Sequence, residues 1–248
     1  MKIKINFTTK DKRFPLSYRM MITSLIKNAV EKGDAEYFKD IYYYEEKKNK
    51  KIKPFTFSVF FKNFSIEKDI VTINGNGSVL ISTCDYNFGI NLYNGLLKMK
   101  TYDYKKDEDG FEIYITNIIL EREKEINESR IFCKTLSPIH IKDRNNKPLN
   151  VNDGKFNAEL NYVSNLLLNT FRGEGLKEEL FFTPVNMKKI VAKEKITDFK
   201  KINGKDIIYI EGYSGTFYLE GNIQDLRMLM QIGLGFRRSE GFGMIDLV

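Results

Sequence analysis

The chain has 248 residues, 42% hydrophobic and 13% aromatic, with 14 tyrosines, 19 phenylalanines and no tryptophan, which suffices for one large or two small cores and excludes wholesale disorder. Forty Lys and Arg against 33 Asp and Glu give a net charge of +7, which favours an acidic partner, nucleic acid first. Two cysteines, Cys84 and Cys133, with one histidine, His140, are too few for the usual Cys/His zinc sites, and no apolar run reaches the ~18–20 residues of a membrane helix, so a cytoplasmic protein without metal or cofactor is expected.

Residues 2–7 alternate apolar and polar as a strand does and carry no signal-peptide core. After Pro15, residues 16–32 read as a helix with Tyr18, Met21, Ile22, Leu25, Ile26 and Ala29 on one stripe and Ser17, Ser24, Lys27, Asn28 and Glu31 opposite. A short helix is expected at 34–39. Five lysines between positions 47 and 53, next to Tyr42, Tyr43 and Tyr44, show neither period nor apolar content and predict a mobile loop.

Residues 54–61 read as a strand. A hairpin is predicted between 70–73 and 78–83 across Asn74-Gly75-Asn76-Gly77. A helix over 88–98 and a strand over 111–120 complete the order strand, helix, strands, helix, strand. After the charged stretch 121–130 the order begins again, with a strand at 130–142 and a helix at 156–171. Strands at 180–191 and 206–219, a helix at 222–232 capped by Asn222, and a strand at 244–248 follow. The expected class is α+β: two tandem ferredoxin-like (RRM-like) βαββαβ domains, residues 1–122 and 130–248, the second ending in a glycine-rich loop.

That loop runs Gly233-Leu-Gly-Phe-Arg-Arg-Ser-Glu-Gly-Phe-Gly243. Gly233, Gly235, Gly241 and Gly243 permit positive φ and close approach of a phosphate to backbone N–H groups. Arg237 and Arg238 have the forked geometry that suits phosphate. A tight helix-to-strand turn with incidental arginines fits the same residues equally well. The spacing is neither that of a P-loop nor that of a dinucleotide fingerprint.

With the loop stand four further segments in order: Lys53-Pro-Phe-Thr-Phe-Ser, Ile81-Ser-Thr-Cys, Tyr93-Asn-Gly-Leu-Leu and Thr135-Leu-Ser-Pro-Ile. Together they resemble the CRISPR precursor-RNA-processing endoribonucleases of the RAMP superfamily. The resemblance implies metal-independent cleavage of CRISPR repeat RNA, the precursor of crRNA. The ribose 2′-hydroxyl attacks the neighbouring phosphate and leaves a 2′,3′-cyclic phosphate and a 5′-hydroxyl. It also implies RNA as partner rather than DNA or membrane, with effector-complex subunits as further partners. A RAMP protein that binds repeat RNA without cutting is the alternative, and a module binding a small anionic metabolite at the glycine loop is a third reading.

The family's usual base is a histidine shortly before the Pro-Phe-Thr-Phe-Ser strand, where this chain has Lys39. Lys27 matches a tyrosine often found on the first helix, and Lys53 is retained. The resemblance therefore implies a catalytic lysine cluster of Lys27, Lys39 and Lys53, with Tyr42, Tyr43 and Tyr44 in reserve. A lysine at its reference pKa of about 10.4 is a poor base near neutrality unless burial or other cations lower it. His140 lies in a strand of the second half, where alternation turns it toward an RNA cleft or solvent. Lysines 188, 189, 193, 195, 200, 201 and 205 crowd the second-half hairpin, and Lys188 and Lys189 are expected to hold RNA phosphates together with the glycine loop.

Overall fold

The computed structural model describes residues 1–44, 47–48, 51–104, 110–195 and 207–248. Strand β1 (Lys2–Thr9) turns Ile3, Ile5 and Phe7 inward, and β2 (Arg13–Pro15) follows. Helix α1 (Tyr18–Gly33) buries the predicted stripe from Met21 to Ala29, together with Arg19 and Val30. Asp34 then accepts from the Glu36 and Tyr37 N–H groups and starts α2 (Ala35–Tyr42), a side-chain cap that satisfies otherwise orphaned donors. A two-residue pair, β3 (Tyr43–Tyr44) and β4 (Lys47–Lys48), precedes β5 (Phe55–Phe61), β6 (Phe64–Glu67), β7 (Ile70–Ile73) and β8 (Gly77–Thr83). Asp85 caps α3 (Tyr86–Leu97), which leads to β9 (Thr101–Tyr104) and β10 (Phe111–Glu121).

The second half comprises β11 (Arg130–Thr135), α4 (Gly154–Arg172), β12 (Phe181–Lys195), β13 (Ile207–Glu220), α5 (Ile223–Ile232), a 3₁₀ turn at Arg238–Glu240 and β14 (Ile245–Leu247). Its sheet has the order β12-β13-β11-β14. The first sheet has the order β5-β8-β1-β10, with β9 added outside β10. Taken as the four strands of a βαββαβ unit, both orders are second, third, first, fourth, and the neighbouring strands run antiparallel. The fold is therefore the expected tandem ferredoxin-like arrangement. Each lobe has its own core, one around Phe7, Ile22, Phe57 and Phe88 and the other around Phe156, Leu168, Phe217 and Leu229. Burial of each such side chain stabilises by about 1.5–3 kcal/mol. In the first lobe α1 and α3 touch backbone to backbone, since a Cβ on Gly95 would overlap the Ala29 carbonyl.

The structure corrects several expectations. Strands β7 and β8 do not form a hairpin across residues 74–77: β7 pairs with β2 and β6, while β8 pairs with β5 and β1. The long β5 brings Phe61 opposite Gly77, so β6 and β7 fold away as a separate hairpin that turns at Lys68, whose φ is 52°. The strand expected over 130–142 stops at Thr135, because Pro138 has no N–H for a ladder. Ile139 and Lys142 keep isolated bridges to Tyr213 and Pro148. Strands β12 and β13 extend to Lys195 and from Ile207. Lys200, Lys201 and Lys205 lie outside the described residues, as does part of the loop expected between 42 and 53.

Candidate functional site

Two side-chain clusters stand out, one within the first lobe and one at the glycine-rich turn that contacts both lobes. The first grows from α2. Phe38 and Tyr42 are four residues apart, hence on one helical face, and both are buried with ring centroids 4.9 Å apart. Tyr42 then presents its ring to two cations: Lys27 Nζ from α1 and Lys53 Nζ from the residue pair before β5 each lie 5.0 Å from the ring centroid. Lys53 also donates to the Ile41 carbonyl at 2.6 Å. Burial, then the Lys27 and Lys51 charges, lower the Lys53 ammonium to about 8. Burial raises the Tyr42 phenol above its ordinary value, so Tyr42 stays neutral and acts through its ring face.

Lys53 is thus the member of the cluster whose charged form is held least firmly. Lys39 does not join it. Lys39 follows Phe38 on the exposed side of α2, and among the described residues no contact ties its ammonium to the ring that Lys27 and Lys53 share. Of the expected trio the fold brings together Lys27 and Lys53, with Tyr42, a reserve candidate, as the element that joins them.

The second cluster is the glycine-rich turn. Its glycines face protein. Gly233 N–H bonds Leu229 O, Gly241 N–H bonds Arg238 O, and Gly243 N–H bonds Pro138 O. A Cβ on Gly243, where φ is +72°, would overlap Leu234 O, and one on Gly235 would lie 2.6 Å from His140 O. Thr56 in β5 donates to Phe242 O at 2.9 Å, and Thr23 in α1 lies 3.3 Å from Ser239 O. Of the glycines expected to cradle a phosphate, Gly233, Gly241 and Gly243 thus have their N–H groups engaged by protein carbonyls, whereas a cradle uses N–H groups turned outward, and the glycines let the turn pack closely against its neighbours.

Arg238 points inward. It is 5% exposed, donates to Ile232 O at the end of α5 at 2.6 Å, and burial lowers it to about 10. Its charge stabilises a helix C-terminus. Arg237 is half-buried and pairs with Glu240 at 2.6 Å. His140 faces neither cleft nor solvent. It is buried beside Phe236 and Phe242, its Nδ1 lies 2.6 Å from Glu211 O, and burial lowers its pKa. On the hairpin Lys188 is exposed, and Lys189 pairs with Glu211 at 2.8 Å.

Sequence reasoning missed one buried pair. Arg19 of α1 donates to Glu194 Oε1 of β12 at 2.9 Å and to Gly241 O at 3.3 Å. Its guanidinium lies 4.9 Å from both the Tyr18 and Phe242 ring centroids. Burial raises Glu194 to about 7 in spite of Arg19. The signal was faint in the sequence: Arg19 lies between Tyr18 and Met21 of the apolar stripe, and Glu194 sits among lysines.

Comparison with known proteins agrees with the fold. The profile of the family described as CRISPR associated protein Cas6, C-terminal, matches residues 121–247. Among solved structures, a Cas6-related protein from Pyrococcus furiosus has a TM-score of 0.80 and 19% identity, covering 100% of this chain and 98% of that one. A RAMP protein binding different RNA substrates has a TM-score of 0.78 and 21% identity, covering 100% and 99%. A CRISPR associated protein Cas6 has 0.75 and 22%, again covering 100% and 99%. Comparison with curated protein sequences gives no match.

Proposed function

The chain belongs to the Cas6 family of CRISPR associated proteins, and from that premise we propose that it cleaves CRISPR repeat RNA within precursor crRNA, without a metal, to release guide RNAs. The observation that carries this reading is the meeting of Lys27 and Lys53 on Tyr42, with Lys53 lowered to about 8.

In the proposed step the neutral amine of Lys53 takes the proton of the ribose 2′-hydroxyl. The 2′-oxygen bonds to phosphorus as the bond from phosphorus to the 5′-oxygen breaks. The Lys27 ammonium offsets the charge of the phosphorane and gives a proton to the departing 5′-oxygen. The products are a 2′,3′-cyclic phosphate and a 5′-hydroxyl. The first lobe, residues 1–122, supplies these lysines. The second, residues 130–248, supplies RNA contacts from Lys188 and Lys189, which position phosphates and carry little sequence information. Bound phosphate favours the charged form of Lys53, so the chemistry depends on how far the buried side chain stays desolvated.

The experiment is incubation of labelled repeat RNA with the protein in excess EDTA, followed by inspection of the ends. One cut bearing a cyclic phosphate supports the proposal, and a cut bearing a 3′-hydroxyl overturns the mechanism. A second reading, a protein that binds repeat RNA alone or as an effector-complex subunit, is favoured by one observation: His140 is buried against Phe236 and Phe242, which leaves the lysine pair without an imidazole. Tight binding with RNA left intact would select it.

A further inference from the structure

Strand β9 is an addition to the βαββαβ plan, paired to β10 at the edge of the first sheet. It forms one wall of an open groove of about 520 Å³, whose other wall is α1 with Met20, Thr23, Ser24 and Lys27. Tyr102 and Tyr104 alternate with exposed Thr101 and Asp103, so the two tyrosines share a face of the strand and are half-buried. Tyr102 lines the groove with Ser24, and burial raises its phenol. Residues two apart on a strand are separated by about 6.8 Å, room for one planar base between or against the rings.

Lys27 belongs to both places: it lines this groove and it stands over the Tyr42 ring, as Lys53 does. A phosphate held by Lys27 therefore brings an adjoining nucleoside to the mouth of the groove. Asp103 at the rim repels phosphate, which leaves the groove suited to the base and the lysine to the backbone. Aromatic side chains beside a cation are the usual components of a single-strand stacking site.

We propose that the groove between α1 and β9 receives the base of a nucleoside adjoining the phosphate at Lys27, stacked on Tyr102 and Tyr104. The proposal rests on RNA being the substrate, as proposed above, and adds a binding site that the lysine pair alone does not provide.

The test uses the full chain and a set of repeat RNAs made uncleavable by 2′-deoxy sugars, each with 2-aminopurine at one position in turn. With the parent protein, fluorescence is expected to be quenched at one position. Tyr104→Leu should restore it and weaken binding about tenfold, the scale of one lost stacking contact. Tyr102→Phe, which keeps the ring, should retain the quenching. An RNA abasic at that position should bind parent and Tyr104→Leu equally. Thermal melting of each variant within a few degrees of the parent excludes misfolding as the cause. Because these RNAs are not cut, the readout is independent of catalysis: quenching lost in Tyr104→Leu upholds the groove even if the protein never cleaves. Unchanged quenching in a well-folded Tyr104→Leu overturns the groove even if cleavage is normal.

Discussion

Lys27 and Lys53 stand at the same distance, 5.0 Å, from the centre of one ring, that of Tyr42. Two cations thus approach the π-system of one aromatic ring. Each makes the other costlier, and Lys53, the one held against the Ile41 carbonyl, is lowered to about 8. The cluster concentrates positive charge while leaving one member able to exchange a proton at working pH.

This yields a pH profile. With Lys53 as the base, the single-turnover rate should rise about tenfold per pH unit below a pH of about 8 and level off above it, shifted upward where bound phosphate favours the ammonium. Lys53→Arg keeps the charge and removes the titration, so activity should fall by at least about 100-fold, the ordinary contribution of a positioned base. RNA affinity should stay within about threefold, since the charge that meets phosphate is kept. A Lys53→Arg variant that retains most of the rate would show that only charge is needed there.

The ring makes its own prediction. The Tyr42 hydroxyl is buried with no hydrogen-bond partner among the described residues, a state that costs about 1–3 kcal/mol. Tyr42→Phe should therefore melt at or above the parent temperature and keep activity within a few-fold. Tyr42→Leu removes the ring that both lysines approach and should cost about tenfold in rate, the scale of one cation–ring contact. A Tyr42→Phe variant as inactive as Tyr42→Leu would assign the chemistry to the hydroxyl.

The course of the chain was legible where period and caps agree. The stripe on α1, the Asn222 cap on α5 and the twofold repeat of βαββαβ order all follow from local residues. Pairing was less legible. Asn74-Gly75-Asn76-Gly77 carries a strong local turn signal, yet β8 is claimed by β5 and β1 through contacts far apart in sequence. The site shows the same division. Glycine and arginine suggest phosphate wherever they occur together, but whether an N–H points outward depends on what lies across it. Here the Pro138 and His140 carbonyls accept from the Gly243 and Phe236 N–H groups. The pairing of Lys27 with Lys53 required α1, α2 and the start of β5 to converge, which no spacing encodes.

The pair joining Arg19 to Glu194 connects the lobes at 2.9 Å, and Glu194 Oε2 is buried without a partner among the described residues. Because burial raises Glu194 to about 7, the folded protein holds a proton that the unfolded carboxyl releases near its usual value of about 4.3. That contribution to stability is complete below the unfolded value and is lost as pH rises through about 7. Melting of the parent between about pH 5 and 8 should thus decline more steeply than that of Glu194→Gln, which cannot titrate. Parallel curves would show that Glu194 is ionised throughout. Arg19→Met leaves the buried carboxyl without its cation and should cost about 3–5 kcal/mol at about pH 8, with a smaller loss at about pH 5.

On the hairpin, Lys188 and Lys189 point to opposite faces of β12, and only the second has an ion pair described, with Glu211 at 2.8 Å. A phosphate contact releases a counterion, and on a single strand each contact contributes about 0.7 to the slope of log affinity against log salt. If Lys188 touches the backbone, Lys188→Ala should flatten that slope by about 0.7. Lys189 must leave Glu211 to reach a phosphate, so Lys189→Ala should flatten it less, while Glu211→Gln should strengthen binding by freeing Lys189. Titration of fluorescent repeat RNA from about 50 to about 300 mM salt measures all three. A slope unchanged in Lys188→Ala places the RNA away from this face of the hairpin and leaves the lysine pair at Tyr42 as the principal phosphate contact.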